Sequence, residues 1–136
     1  MKEIFYKEER IFLAGASGMV GSSIKRALLN IEHFGNRHIL LTPTRKELNL
    51  LDEISVKNWF IKNKPTIVIL AAAKVGGILA NSRYPGDFIF QNLKIQTNII
   101  ESAWITGVER FVFLGSSCIY PKNSVQPIKE EALLKN

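Results

Sequence analysis

A chain of 136 residues with 46% hydrophobic content is long enough to bury a real core as a single domain. The +6 formal charge comes from 18 basic and 12 acidic residues, but Lys25, Arg26, Arg37, Arg45, Lys46, Lys57, Lys62 and Lys64 are scattered, without a dense basic run or zinc-finger spacing, which argues against a nucleic-acid partner and leaves a polyanionic small molecule or a solvated surface. No apolar stretch approaches the roughly 20 residues of a membrane span, the Met1–Arg10 stretch contains acidic residues and too short an apolar run for a secretory signal, and the single cysteine cannot form an internal disulfide, so a reducing cytoplasm is the expected compartment.

Within Met1–Arg10, Ile4, Phe5 and Tyr6 are expected either to pack on an edge or to be mobile. Ile11-Phe12-Leu13-Ala14 is short, apolar and unalternating, the pattern of a strand buried on both faces. Gly15-Ala16-Ser17-Gly18-Met19-Val20-Gly21 follows, opening a helix predicted over 19–30. Its apolar face is read as Val20, Ile24, Ala27 and Leu28, with Lys25 and Arg26 turned to water. Strand, glycine turn and helix are the context that gives G-x-x-G-x-x-G a meaning. Gly15 allows the tight turn, Gly18 lets the backbone approach a pyrophosphate, and Gly21 lets helix pack on strand. The N–H groups and dipole of the helix N-terminus then face the phosphates. The same residues also fit a glycine-rich turn that binds nothing.

His38–Leu41 reads as a second buried strand. An NAD site usually places an acid at the end of this strand, to hold the adenosine ribose hydroxyls. Thr42-Pro43-Thr44-Arg45-Lys46 has no acid before Glu47, and Arg45 is suited to clamp a 2′-phosphate. That favours NADP(H) over NAD(H), against the alternative of an exposed loop charge. Asp52 or Ser55 caps a helix near 56–63, or Asp52 faces the adenine amino group. Thr66–Leu70 is a β-branched third strand, and the small residues of Ala71–Ile78 leave its carboxyl end, where a cofactor can lie against the backbone. Pro85 precedes a long helix over about 86–106, ended by Gly107. Its residues Phe88, Ile89, Asn92, Ile95, Ile99, Ala103 and Trp104 spread beyond one stripe, so the helix is either deeply buried or shared with a partner, a second copy of the chain being the expected one. Arg110–Leu114 is the fourth strand, and 121–136 is a polar, loop-like tail.

The alternation implies an α/β architecture: a Rossmann-like parallel sheet with helices on both faces, the first half of a doubly wound fold, with expected strand order 3-2-1-4 and no substrate domain. The expected dinucleotide contacts are Gly15, Ala16, Ser17, Gly18, Met19, Val20 and Gly21 from the glycine turn, and Arg45, Leu50 and Asp52 after the second strand. Ala72 and Ala73 after the third strand, and Leu114, Gly115 and Ser117 after the fourth, complete the set.

Gly115-Ser116-Ser117-Cys118-Ile119-Tyr120-Pro121 leaves the fourth strand at the same edge. A serine hydroxyl there is placed to hydrogen-bond a substrate carbonyl. Cys118 reads equally as an acid–base thiol and as a buried, inert small hydrophobe. Tyr120 reads as packing, and His33 and His38 carry no role.

The glycine turn, Arg45-Lys46-Glu47-Leu48-Asn49-Leu50, Ala71-Ala72-Ala73-Lys74-Val75-Gly76-Gly77 and Gly115–Pro121 together resemble the GDP-L-fucose synthase family over nearly the whole chain after Glu9. That family consists of NADP-dependent epimerase–reductases among the extended short-chain dehydrogenases. The resemblance implies a substrate, GDP-4-keto-6-deoxy-D-mannose, epimerised at C3 and C5 through enolates and then reduced at C4 by NADPH to GDP-L-fucose. It implies acid–base work for Cys118, a hydrogen bond from Ser116 to the C4 oxygen, and a 2′-phosphate contact for Arg45. Ser17 stands where relatives carry a second arginine. The family's Tyr-x-x-x-Lys pair has no match in these 136 residues: Tyr6, Tyr84 and Tyr120 are followed four residues later by Arg10, Phe88 and Ser124. The expectation is therefore an N-terminal cofactor-binding part that is inactive alone, since a constellation missing members loses most of its rate. The other expectations are a non-catalytic nucleotide-binding or interaction module, and one half of a split sugar-nucleotide epimerase.

Overall fold

The computed structural model describes residues 7–133; the reading of Ile4, Phe5 and Tyr6, and the last three residues of the tail, lie outside them. Four strands form one parallel sheet: β1 (Glu9–Ala14), β2 (His38–Leu41), β3 (Ile67–Leu70) and β4 (Arg110–Phe113). The helices between them are α1 (Met19–Leu29), α2 (Phe34–Arg37), α3 (Glu53–Asn63), α4 (Ile78–Arg83) and α5 (Pro85–Ile105).

The boundaries follow local chemistry. The α3 N-cap is Asp52, whose carboxylate accepts the Ser55 N–H at 3.0 Å. Pro85, with no N–H to lose, occupies the first turn of α5. Gly107, at φ +74°, stops the chain just beyond α5. Helices α2 and α4 are too short for a periodic signal and were not expected.

The spatial order is β2-β1-β3-β4, not the expected 3-2-1-4. β1 is the pivot: Ile11 pairs with Leu40 on one side and with Ile67 on the other. The physical reason lies in two runs of four residues. Ile67-Val68-Ile69-Leu70 is buried on both faces, which demands an interior position. His38–Leu41 is only half-covered, with Ile39 49% exposed, as suits an edge. After β2 the chain turns through residues 42–52 rather than adding a strand beyond it, so β3 forms across β1.

Side-chain alternation sorts the helices onto the two faces. Phe12, Ala14, Val68 and Leu70 pack with Val56 and Phe60 of α3 and Ile95, Ile99 and Ala103 of α5. Ile11 and Ile67 on the other face pack with Phe34 of α2 and Leu28 of α1. Phe12 meets the Phe60 ring edge-on at a centroid separation of 5.5 Å and the Trp59 ring at 4.5 Å. At the amino ends of the strands, the buried Glu9 carboxylate accepts from the Arg110 guanidinium at 2.7 Å and from the Thr66 hydroxyl at 2.5 Å, tying β1, the entry to β3 and β4 together. The opposite, carboxyl edge of the sheet is left for function.

Candidate functional site

Because β2 lies on one side of β1 and β3 on the other, the chain leaves the carboxyl ends of β1 and β3 in opposite directions. Ligands of open α/β sheets bind in the crevice such a switch point creates. Here the crevice is an open cleft of about 1340 Å³.

The glycine turn forms its floor. Gly15 holds φ +82°, and a Cβ there would stand 2.6 Å from the Ala71 carbonyl oxygen. A Cβ at Gly21 would stand 2.1 Å from the Gly15 carbonyl oxygen, so only glycine lets α1 seat against the turn. The Gly18 N–H closes the turn onto Gly15 O at 3.0 Å, and a Cβ at Gly18 would meet nothing closer than 3.4 Å. Ser17, Gly18, Met19 and Val20 are exposed along the cleft, and no acid occupies the first turn of α1. The first-turn N–H groups of an α-helix have no intrahelical partner and form an anion-binding end.

One wall is the segment after β2. Thr44–Glu47 is a tight turn: the Leu48 N–H reaches the Thr44 oxygen at 2.9 Å, and the Glu47 carboxylate accepts the Thr44 N–H at 2.7 Å. That backbone bond holds the Glu47 carboxyl below its usual range, with the Thr44 hydroxyl adding to it. The only acid near Arg45 in sequence is thus folded back on its own backbone, and Arg45 and Lys46 line the cleft. Leu50 lines it too, its carbonyl held by the buried Asn98 amide of α5 at 2.9 Å. The other wall is Ala71–Val75, including Ala72 and Ala73.

Of the expected dinucleotide contacts, Gly15, Ala16, Ser17, Gly18, Met19, Val20, Arg45, Leu50, Ala72 and Ala73 therefore share one cleft, with Gly21 buried beneath it. Asp52 is outside the lining and caps α3. Leu114, Gly115, Ser116, Ser117 and Cys118 are not brought into this cleft either. Leu114 extends the β4 ladder, its N–H donating to Leu70 O at 3.2 Å. The Ser116 hydroxyl accepts the Cys118 N–H at 3.2 Å and caps a short 3-10 turn over Ser117–Ile119. Cys118 is exposed rather than buried, and with Ser117, Tyr120 and Lys122 it lines a separate, smaller hollow.

Two readings of α1 need correction. Lys25 does not turn to water but lines the cleft, because it stands two helical turns after Gly18 on the same face. Val20 and Ala27 are exposed, leaving Ile24 and Leu28 as the half-buried residues of the expected apolar face. The cleft thus gathers Lys25, Arg45, Lys46 and Lys74, with no aspartate or glutamate among the residues lining it. Lys25 was legible only as a charge, and Lys74 only as part of a motif.

A glycine turn, an exposed helix N-terminus and four cations at the switch point of a parallel sheet define a dinucleotide-binding α/β protein. Residues 11–136 match the model of the NAD dependent epimerase/dehydratase family, and the chain belongs to that family. It is 54% identical over 128 residues to GDP-L-fucose synthase 1 of Arabidopsis thaliana, and 51% identical over 128 residues to the GDP-L-fucose synthase of Escherichia coli K12. Each match covers 94% of this chain and 38% or 39% of the relative, so the chain spans under two-fifths of the length of these curated relatives. Among solved structures, a GDP-mannoheptose C4 reductase from Campylobacter jejuni with NADP bound superposes with a TM-score of 0.84 at 35% identity, over 96% of this chain and 40% of that one. The resemblance read from the motifs and the parallel α/β fold both stand; the strand order is the part of the fold expectation that changes.

Proposed function

We propose that this chain is the NADP(H)-binding part of a GDP-L-fucose synthase, an enzyme that epimerises GDP-4-keto-6-deoxy-D-mannose at C3 and C5 and reduces it at C4. The observation that carries the cofactor reading is the acid-free, four-cation cleft built on the glycine turn. The residues present fit the group. The α1 N-terminus and Gly18 take the pyrophosphate, Arg45 and Lys46 flank the 2′-phosphate, and Ala72 and Ala73 leave room for close approach. Bound NADPH supplies the hydride for the C4 reduction. On the protein side, Ser116 donates a hydrogen bond to the C4 oxygen and Cys118 exchanges a proton in epimerisation, both from the carboxyl edge of β4. With no Tyr-x-x-x-Lys pair in residues 1–136, we propose that these residues bind cofactor without turning substrate over.

The partner in this reading is a second copy of the chain. Its support is the outer face of α5, where Ile89, Leu93, Ile100 and Trp104 are each about half or more exposed. Sedimentation at micromolar concentration is expected to give twice the monomer mass, and Trp104→Glu to return it to monomer. Among the described residues no helix is long and apolar enough to cross a membrane, and we place the chain in the cytoplasm, where its exposed thiol stays reduced. Fractionation of the source cells tests that placement.

Fluorescence titration with NADPH and NADH tests the cofactor. Saturable binding, tighter for NADPH, is expected. Arg45→Ala weakens NADPH by roughly tenfold or more, the worth of one charge-assisted contact, and leaves NADH nearly unchanged. Equal affinity for the two cofactors, or no binding by folded protein, overturns the proposal.

A further inference from the structure

The cleft wall after β3 is coil, and no neighbouring strand bonds its backbone at Lys74. A side chain does that instead. Asn92 of α5 makes a reciprocal pair with one residue: its Oδ1 accepts the Lys74 N–H at 2.7 Å, and its Nδ2 donates to Lys74 O at 3.0 Å. The carboxamide thus gives Lys74 what a paired strand would give it, and only this orientation of the amide satisfies both groups. One helical turn earlier, Phe88 closes on the same loop. A Cβ at Gly76 would stand 2.7 Å from its ring, and the Lys74 ammonium lies 5.0 Å from the ring centroid. Gln91 and Ile95, on either side of Asn92 in α5, line the cleft themselves.

We propose that Asn92 is the positioning residue of the cofactor cleft: it fixes the Lys74 main chain, so that Ala72–Lys74 stands as a preset wall for the dinucleotide and the Lys74 ammonium is held at its rim. The inference rests on the NADP(H) reading of the cleft. Without Asn92, two backbone groups lose their partners, and the loop must be ordered by the ligand at the ligand's cost in affinity.

The test is Asn92→Asp in the 136-residue chain, because its protonation state decides the answer. An ionised carboxylate accepts the Lys74 N–H but opposes Lys74 O. A protonated one has the same donor and acceptor arrangement as the native amide. NADP+ affinity is read by tryptophan fluorescence at pH 8 and pH 4, always relative to the native chain, and amide exchange over 71–77 is read without cofactor. At pH 8 the variant is expected to bind NADP+ about tenfold more weakly, the worth of one to two hydrogen bonds. Exchange over 71–77 accelerates while β1 and β3 keep native protection, which shows the sheet intact. At pH 4, close to the ordinary carboxyl midpoint of about 3.9, both differences narrow as the protonated form accumulates. Thr106→Ala, whose hydroxyl donates to Ser102 O at the C-terminal end of α5, is the control and is expected to match the native chain.

Native-like binding and exchange at pH 8 overturns the proposal. A deficit that persists unchanged at pH 4 also overturns it, since it reports damage rather than a lost hydrogen bond. If the native chain itself fails to bind NADP+, the cofactor reading falls and takes the role in binding with it. The exchange arm separates that failure from failure of the clamp.

Discussion

Gly18 and Gly21 stand three residues apart in one turn and are glycine for different reasons. At Gly21 a methyl group would lie 2.1 Å from a backbone oxygen and 3.0 Å from the Ala16 Cα, and neither neighbour is a flexible side chain that can move aside. Gly21→Ala is therefore expected to cost about 3 kcal/mol, the upper range for overpacking, as measured by urea denaturation. At Gly18 the nearest atom is 3.4 Å away and φ is −74°, so a methyl fits the free protein without strain. Gly18→Ala is expected to keep the native urea midpoint while weakening NADPH, because the methyl occupies the space that the proposed phosphate site needs. Loss of stability in both variants, or in neither, sinks this division of labour.

At the scale of elements, α3 shows how a single side chain sets a helix start. The Asp52 carboxylate accepts the Ser55 N–H, which holds its carboxyl below the usual range; the Ser55 hydroxyl and the Lys94 charge act the same way. A carboxyl whose folded pKa is depressed stabilises fully above its unfolded value, and that contribution is lost as pH falls through the folded value. Asp52→Asn keeps a capping side chain that does not titrate. Urea midpoints are expected to favour the native chain near neutrality, with the difference shrinking as pH falls below the ordinary carboxyl value of about 3.9. A difference that is constant with pH overturns the assignment. The α3 cap was legible because cap and helix lie within four residues. The same holds for β1, β3 and α5, each written as an apolar run between glycines, prolines or caps. Asn92 and Asn98 were not legible as clamps. Their backbone partners, Lys74 and Leu50, lie 18 and 48 residues away, and nothing local marks a carboxamide on a mostly apolar helix as bound to a distant loop. Helix α4 was equally silent, because all but one of its residues are exposed and no periodicity results.

At the scale of the molecule, topology turns a scattered charge into a focused one. The sequence shows 18 basic residues with no cluster, and the +6 excess alone discriminates nothing. Pairing β3 beside β1, rather than beyond β2, opens the switch point next to the glycine turn. Helix α1, the turn after β2 and the loop after β3 then each bring cations to one cleft. The strand order that sequence alone misplaced is thus also what assembles the site. Lys25, Arg45, Lys46 and Lys74 face no lining carboxylate, so their field acts on the ligand. Screening shortens that field from about 10 Å at 0.1 M salt to about 3 Å at 1 M. NADPH carries one phosphate more than NADH. Its affinity is therefore expected to fall about tenfold between 0.05 and 0.5 M potassium chloride, and NADH affinity by clearly less. Arg45→Ala should bring the NADPH slope down to the NADH slope, because in the proposed binding mode it removes the charge nearest the extra phosphate. Parallel slopes for both cofactors in the native chain would show the cations acting on the shared pyrophosphate alone, and Arg45 would lose its assigned role.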